Sequence, residues 1–278
     1  MAYLNPKDLC IFATHFASQV VWLVEEGRRV SSYSFLAEFY DELTRDVPYD
    51  RIADFYEKVW DSYGVKPATV LDLACGTGSI TRILSQRGYE LISTDASPEM
   101  LSVLMDKCAG LDGAVPPLVL NQSMTELDLY DVVSAAVCTL DGINYVPEDK
   151  LDEVFHRLRL FIEPGGVLIF DINSPYKLLS QDGQVYIDET ENVYCVWRPE
   201  LSVDRRMLTY GMDIFIRDGE EWLREQEEHT EYIHSTDMLA AKLRENGFTE
   251  IRLYGDLSED KPKKDEQRIF ISARRSEN

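Results

Sequence analysis

Short apolar runs alternate with helical hydrophobic patterns over the middle of the chain. The apolar runs occupy residues 70–73, 89–94, 117–121, 131–139 and 167–170. Between these runs, and over 52–63 before the first of them, apolar residues recur at the i, i+3, i+4, i+7 spacing of one helix face. Near-continuous apolar strands separated by helices are typical of a parallel sheet that is covered on both faces. The pattern therefore predicts an α/β fold with a doubly wound, mostly parallel sheet.

The helical spacing is lost after about residue 184. Residues 206–216 alternate between apolar and polar, and Asp218-Gly219 is a hairpin-turn signal. We interpret 184–233 as an antiparallel β insertion that forms a lid over a pocket. A helix over 236–246 and strands over 248–254 and 268–273 then bring the main sheet to seven strands. The predicted domains are an N-terminal appendage over 1–30, a core over 31–183 and 234–278, and the lid over 184–233.

Several helix ends carry local signals. Gly64 is expected to end the helix that precedes the first strand, and Glu163-Pro-Gly-Gly is expected to form the turn before the fifth strand. Ser97 is the predicted N-cap of a helix with Pro98 at its first position. That helix is expected to turn four residues inward, namely Met100, Leu101, Leu104 and Met105.

The net charge and the cysteine and histidine content limit the kinds of binding partner that the chain is expected to have. The chain has 278 residues, and 28 basic against 50 acidic residues give a formal net charge of −22. Such a charge repels phosphate backbones and anionic lipids, so we expect neither a nucleic-acid nor a membrane partner. The five cysteines are widely spaced, which favours a reducing, cytoplasmic location over a disulfide framework. Cysteines and histidines show no metal-ligand spacing, so no metal site is predicted, and a homodimer is left open.

The sequence Val-Leu-Asp-Leu-Ala-Cys-Gly-Thr-Gly at 70–78 joins a strand to a helix through a turn of small residues. Such a turn lets backbone approach a ligand at a helix N-terminus, although a tight turn with no ligand has the same form. Asp95, at the end of the second strand, can accept hydrogen bonds from both hydroxyls of a ribose, although an aspartate by itself at a strand end is more often a helix-capping or solvated residue. Thr81 stands where a dinucleotide fingerprint has its third glycine, which weighs against NAD.

Three motifs together resemble the class I S-adenosylmethionine-dependent methyltransferases. They are the stretch at 70–78, Asp-Ala-Ser-Pro-Glu-Met at 95–100, and Glu-Pro-Gly-Gly-Val-Leu-Ile-Phe at 163–170. The similarity runs from about residue 33 to residue 173 and is strongest to the small-molecule branch, which includes glycine-type and amino-sugar N-methyltransferases. It implies a Rossmann-like methyltransferase fold, S-adenosyl-L-methionine as cofactor and a small-molecule methyl acceptor.

The resemblance also implies roles for individual residues. Asp72, Ala74, Gly76, Gly78, Cys138 and Leu140 would lie beside the methionine part of the cofactor. Asp95 would hold the ribose, while Ala96, Ser123 and Met124 would contact the adenine. Tyr33 and Tyr40 would cover the cofactor. One departure concerns the stretch 121–124, which lacks the acidic residue often found there.

Methyl transfer needs alignment of the acceptor more than it needs a base. Candidate catalytic residues are Asp141 and Tyr145 after the fourth strand and His234 at the end of the insertion. Asn144 and Tyr232 lie close to these in sequence, and a structural role competes with catalysis for each of the five. The predicted function is methyl transfer to nitrogen or oxygen of a small molecule. The alternatives are an RNA or protein methyltransferase and a non-catalytic S-adenosylmethionine-binding module.

Overall fold

The computed structural model describes residues 36–109 and 115–277. Two sheets contain eleven strands in this part of the chain. In chain order they are β1 (Thr69–Leu73), β2 (Glu90–Asp95), β3 (Leu118–Asn121), β4 (Val133–Cys138), β5 (Ile162–Asn173), β6 (Tyr186–Glu189), β7 (Val193–Leu201), β8 (Met207–Asp218), β9 (Glu221–Tyr232), β10 (Phe248–Tyr254) and β11 (Arg268–Arg275). The predictions for residues 1–30 and for Tyr33 lie outside the described residues.

Seven helices accompany the strands over the same residues. They are α1 (Leu36–Leu43), α2 (Tyr49–Tyr63), α3 (Ser79–Gln86), α4 (Pro98–Cys108), α5 (Leu151–Phe161), α6 (Pro175–Ser180) and α7 (Thr236–Glu245). Three short 3₁₀ helices occupy Met124–Glu126, Gly142–Tyr145 and Glu148–Lys150.

The larger sheet has the strand order β10-β11-β5-β4-β1-β2-β3. Strands β1 to β5 run parallel, whereas β11 is antiparallel to β5 and β10 is antiparallel to β11. The chain winds outward from β1 to β3 and then crosses back to β4, so the direction of winding reverses between β1 and β4. Crevices at such a reversal are where open α/β sheets bind ligands. The prediction of a doubly wound, mostly parallel sheet of seven strands is confirmed.

Apolar layers cover both faces of this sheet. On one face α2 and α3 pack through Tyr56, Trp60 and Leu84, all fully or almost fully buried. On the other face α5 and α7 pack through Phe155 and Leu243. Burial on both faces explains why β1, β4 and β5 read as continuous apolar runs.

The smaller sheet is an antiparallel meander in the order β6-β7-β8-β9. The buried apolar residues of β8 are Leu208, Tyr210, Met212 and Ile214, on the face that the alternation of the sequence predicts, and Ile216 on that face is partly buried. This face packs against α1 through Leu36 and against α6 through Leu178. Asp213 is buried as well and pairs with Arg198 and Arg224.

Most local signals are confirmed, two expectations need correction, and two elements were not expected. Ser97 caps α4 by accepting a hydrogen bond from the Met100 N–H, and Gly64 ends α2 in the left-handed conformation. Met105 is 54% exposed, because α4 at the edge of the sheet turns only one narrow stripe inward. Glu163-Pro-Gly-Gly lies inside β5, where a register irregularity opposite β4 absorbs the turn. Helix α6 and strand β6 were not foreseen.

Candidate cofactor and acceptor site

The carboxyl ends of the central parallel strands meet at one edge of the larger sheet. Asp72 of β1 lies opposite Ser93 of β2 on one side and Val137 of β4 on the other. The residues that follow these strands are therefore neighbours in space although they are far apart in sequence. This edge contains two adjoining cavities, which share Tyr40 and Leu140 in their walls.

The glycine turn after β1 is fixed by Asp95. Gly76 donates its backbone N–H to Asp95 Oδ2 at 2.9 Å, and Ser97 donates its N–H to Oδ1 at 2.8 Å. Burial raises the pKa of Asp95, while these backbone hydrogen bonds oppose the rise. Gly78 has a φ of 74°, and a Cβ there would lie 2.4 Å from Leu104 Cγ. Close packing of the turn on α4 thus requires glycine at position 78.

Asp72 is a buried carboxylate next to this turn. Thr81 donates its hydroxyl to Asp72 Oδ2 at 2.6 Å, and Asp72 Oδ1 has no hydrogen-bond partner among the described residues. Burial raises the pKa of Asp72 to about 7. Asp72 lines the first cavity together with Tyr40, Ala74 and Gly76. A buried acceptor without a donor is costly, so this oxygen fits a ligand that brings a donor of its own.

The turn after β4 is held in an unusual backbone conformation. Leu140 and Asp141 have φ angles of 58° and 55°, which L-residues seldom adopt. Asp171, at the end of β5, accepts the N–H of Leu140 at 2.8 Å and that of Asp141 at 3.0 Å. Arg268 of β11 pairs with Asp171 and also donates to Asp141 Oδ1 at 2.8 Å. This cluster keeps the turn against the cavities, since strained backbone persists only where its surroundings fix it.

The second cavity has a volume of about 450 Å³ and lies between this turn and the inner face of the smaller sheet. Its size suits a small molecule. Its walls come from α1, α6, the ends of β5 and β11, and all four antiparallel strands. The polar and aromatic residues among them include Asp141, Tyr145, Asn173, Lys177, Gln181, Trp197, Tyr210, His229, Glu231 and Arg268. We call this the acceptor cavity.

A hydrogen-bonded group crosses one wall of the acceptor cavity. Asn173 donates through Nδ2 to Glu231 Oε2 at 2.8 Å and accepts from Lys177 Nζ through Oδ1 at 2.8 Å. Tyr210 donates its hydroxyl to Gln181 Oε1 at 2.6 Å. Burial, with Asp141 nearby, raises the pKa of Glu231 to about 8. Burial lowers the pKa of Lys177.

The structure brings most of the residues expected at the cofactor together. Tyr40, Asp72, Ala74, Gly76 and Leu140 line the first cavity, and Asp95 and Gly78 hold the turn that forms its wall. A second set lies around that wall rather than in it. Ala96 follows Asp95, Ser123 begins the 3₁₀ helix that contains Met124, and Cys138 is fully buried under Gly142.

The three candidate catalytic residues separate into two places. Asp141 and Tyr145 line the acceptor cavity. His234 does not: it is buried, its Nε2 lies 2.9 Å from the carbonyl oxygen of Val146, and it borders a different cavity beside Glu148. Burial also lowers the pKa of His234. The expectation that His234 faces the acceptor therefore needs correction, because its ring stabilises the loop after β4.

Several residues of the acceptor cavity were missed by sequence reasoning, chiefly Lys177, Arg268 and Glu231. A signal existed for the last of these. The buried positions at the end of β9 are Glu227, His229 and Glu231, so this strand turns polar residues inward. Charged residues at alternating inward positions of a strand indicate a polar cavity behind it.

Comparisons with known proteins agree on one class. A family model described as a methyltransferase domain matches residues 70–166. A solved S-adenosylmethionine-dependent methyltransferase from Clostridium acetobutylicum ATCC 824 is 29% identical and covers 88% of this chain and 99% of its own, with a TM-score of 0.78. YqeM of Bacillus subtilis (strain 168), which carries the name of a methyltransferase, is 29% identical over 88% of this chain and 97% of its own. Glycine N-methyltransferase of Mus musculus is 32% identical over 37% of this chain and 39% of its own.

The sheet order, the glycine turn with Asp95 and these matches support a class I S-adenosylmethionine-dependent methyltransferase. Its cofactor is S-adenosylmethionine. Every helix within residues 36–109 and 115–277 is too short or too polar to cross a membrane. The same residues contain no cluster of three or more histidine, cysteine or acidic side chains suited to a metal ion.

Proposed function

We propose that the protein transfers a methyl group from S-adenosylmethionine to an amine nitrogen of a small molecule bound in the acceptor cavity. The acceptor cavity itself carries the proposal. It adjoins the first cavity at Leu140 and presents carboxylates and aromatic rings on its inner walls. Aromatic faces and carboxylates are what an amine or ammonium group binds. The similarity to a protein named glycine N-methyltransferase supports nitrogen as the target.

The residues of the first cavity fit the cofactor. Asp72 Oδ1 is the buried acceptor that the ammonium of its methionine part would satisfy. Asp95 would bind the ribose hydroxyls with the lone pairs that its two backbone partners leave open. We assign the remaining contacts to Ala74, Gly76 and Gly78, to Ala96, Ser123 and Met124 at the adenine, and to Tyr40, Cys138 and Leu140 at the methionine part. When bound, the cofactor supplies an electrophilic methyl group.

The chain positions the acceptor against that methyl group. The clamp of Asp171 and Arg268 fixes the turn at Leu140, which separates the two cavities. Holding two reactants in line can contribute about 7–11 kcal/mol. We propose that the antiparallel sheet acts as a lid, because its inner face closes the acceptor cavity and would exclude water.

An amine attacks only as the neutral form, so the proton of its ammonium form must leave. Glu231 is the group we propose to accept this proton, since it lines the cavity and its pKa of about 8 suits proton exchange with an amine. Asp141 is a weaker candidate because Arg268 already pairs with it. Tyr145 is better suited to contact the acceptor than to remove a proton. We do not retain His234 in this role.

Calorimetry and an acceptor screen test the proposal. The protein is expected to bind S-adenosylhomocysteine and, with a panel of amines and a matched panel of alcohols, to release S-adenosylhomocysteine only with members of the amine panel. Release with alcohols alone would overturn nitrogen as the target. Labelled methyl found only in protein or RNA fractions of a cell extract would overturn the small-molecule acceptor. A cytoplasmic location and a homodimer stay predictions.

A further inference from the structure

Lys177 is the feature of the acceptor cavity that the proposed chemistry does not use. It lies in α6, one turn beyond the end of β5, and its partly buried side chain lines the cavity. Its ammonium group donates one hydrogen bond, to Asn173 Oδ1 at 2.8 Å. An ammonium group has three donors, so two of them are left for other partners.

The two cations of the cavity are held differently. Arg268 pairs with both Asp171 and Asp141. Over residues 36–109 and 115–277, Lys177 has no carboxylate within ion-pair distance. A cation taken out of water without a counter-ion is unfavourable, and the lowered pKa of Lys177 reflects that burial. This arrangement persists more readily where a ligand supplies the missing charge.

The charged groups around Lys177 do not replace such a ligand. Asp141, Asp171, Glu231 and Arg268 are the groups that act on its charge. The first two carboxylates already share Arg268. Glu231 accepts a hydrogen bond from Nδ2 of Asn173, the residue whose Oδ1 accepts from Lys177, so Asn173 stands between the carboxylate and the ammonium. The positive charge of Lys177 therefore faces the cavity without a fixed partner.

We propose that Lys177 binds a carboxylate group of the methyl acceptor. The inference rests on the proposed function, because the proposed function is what assigns the methyl acceptor to this cavity. Asn173 orients the lysine ammonium while leaving donors for the ligand. A carboxylate fits better than a phosphate. A phosphate dianion carries two negative charges, of which one lysine neutralises only one, and Asp141 and Glu231 nearby would repel the other. The acceptor then bears an amine near Leu140 and a carboxylate near α6.

Ligand-observed NMR on the protein loaded with S-adenosylhomocysteine tests the assignment. The probes are propionate, its neutral isostere propionamide, and methyl phosphate, all at equal ionic strength. Wild type is expected to bind propionate and to bind the other two about tenfold more weakly or not at all. Lys177→Met is expected to weaken propionate binding about tenfold or more, as the loss of a charge-assisted hydrogen bond predicts. Lys177→Arg keeps the charge and is expected to restore most of the binding.

Lys66→Met is the matched control, because Lys66 is exposed before β1, in a loop remote from the cavity in sequence and fold. Equal propionate binding by wild type and Lys177→Met would overturn the proposal, as would propionamide binding as strong as that of propionate. Stronger binding of methyl phosphate would overturn the choice of a carboxylate. Calorimetry with S-adenosylhomocysteine on every variant keeps the two hypotheses apart. If wild type does not bind S-adenosylhomocysteine, the proposed function is contradicted. If wild type binds S-adenosylhomocysteine but not propionate, only the inference about Lys177 is contradicted.

Discussion

At the scale of single residues, Asp95 shows how one carboxylate can shape a site before a ligand binds. Its two oxygens accept backbone N–H groups from Gly76 and Ser97. The first bond fixes the glycine turn, and the second lies at the start of α4. Each oxygen keeps a second lone pair, which is the geometry that two ribose hydroxyls need.

Replacing Asp95 with asparagine should therefore reduce the affinity for the cofactor more than it reduces the stability of the fold. The amide presents one N–H₂ group where a backbone donor already points and removes the charge that strengthens the remaining bonds. We expect at least about tenfold weaker binding of S-adenosylhomocysteine by calorimetry. Asp106→Asn, on the exposed side of α4, is the control and should bind as wild type does. Unchanged affinity of Asp95→Asn for S-adenosylhomocysteine would contradict the assignment of Asp95 to the ribose.

Glu231 leads to a prediction about pH and stability. Its pKa rises from 4.5 in the unfolded chain to about 8 in the folded protein. Between these two values the folded protein holds a proton that the unfolded chain has lost, so stability falls as the pH rises from about 4.5 to about 8. Glu231→Gln lacks this effect. The free energy of unfolding of Glu231→Gln minus that of wild type should therefore increase from about pH 4.5 to about pH 8 and stay constant above that pH.

Urea unfolding of both proteins at several pH values measures the difference. Glu228→Gln, at an exposed position of the same strand, should show no such trend. A difference between wild type and Glu231→Gln that does not change with pH would show that Glu231 titrates as an ordinary exposed acid.

The residues of the cofactor turn were predictable, and those of the acceptor cavity mostly were not. Asp72, Gly76 and Gly78 lie within one motif, and Asp95 follows one strand later. Their neighbourhood therefore needs only the pairing of β1 with β2. Arg268 reaches Asp141 across 127 positions, and Glu231 reaches Asn173 across 58. Such contacts depend on the order of β5, β11 and β9 in space, which periodicity does not encode.

At the scale of elements, α1 is attached to the cofactor turn by one side chain. Asp41 accepts the hydroxyl of Thr77 at 2.6 Å and that of Ser79 at 3.3 Å, and it pairs with Lys107 of α4 at 2.6 Å. The same helix carries Tyr40, which lines both cavities. Asp41 thus couples the position of α1 to the turn that we propose as a cofactor contact.

Breaking this attachment should loosen the cofactor without unfolding the core. Asp41→Ala removes all three contacts, and we expect S-adenosylhomocysteine to dissociate severalfold faster in stopped-flow fluorescence. The effect should be moderate because the ion pair is partly exposed, and such pairs contribute about 0–1 kcal/mol each. Glu38→Ala, at an exposed position of α1, tests whether any change in the helix suffices. Equal dissociation rates in wild type and Asp41→Ala would contradict the coupling.

Elements with a clear period were foreseen, and those set by tertiary contacts were not. Helices α2, α5 and α7 show a full apolar face, and the β8–β9 hairpin shows strict alternation with a turn signal. Helix α6 has six residues, too few for a helical period to be recognised. Strand β6 is exposed at every position, so it lacks the alternation by which a half-buried strand is recognised.

At the scale of the whole molecule, the formal charge of −22 is the dominant long-range property. Like charges spread over one surface repel each other and destabilise the compact state. Salt shortens the range of this repulsion, from about 30 Å at 0.01 M to about 8 Å at 0.15 M. Surface charge thus opposes the apolar packing on both sheets.

Sodium chloride should therefore stabilise this protein. We expect the free energy of unfolding in urea at pH 8 to increase between 0.01 M and 0.3 M salt, because the relief of net repulsion outweighs the weakening of exposed ion pairs, which contribute about 0–1 kcal/mol each. Potassium chloride at the same concentrations should act equally, since the effect is one of screening. A decrease in stability with both salts would show that attractive ion pairs, rather than net repulsion, control the response.

The position of β11 late in the chain affects the order in which the site assembles during synthesis on the ribosome. β11 is inserted between β5 and β10, and its first residue, Arg268, completes the clamp on Asp141 and Asp171. The strands that bear the cofactor turn leave the exit tunnel almost two hundred residues earlier. Nascent chains fold from the N-terminus as they emerge, at about 5–20 residues per second. For about 5–20 seconds of synthesis, between the emergence of Asp171 and that of Arg268, the strained loop at Leu140 is held by Asp171 alone, and its full positioning must wait for β11.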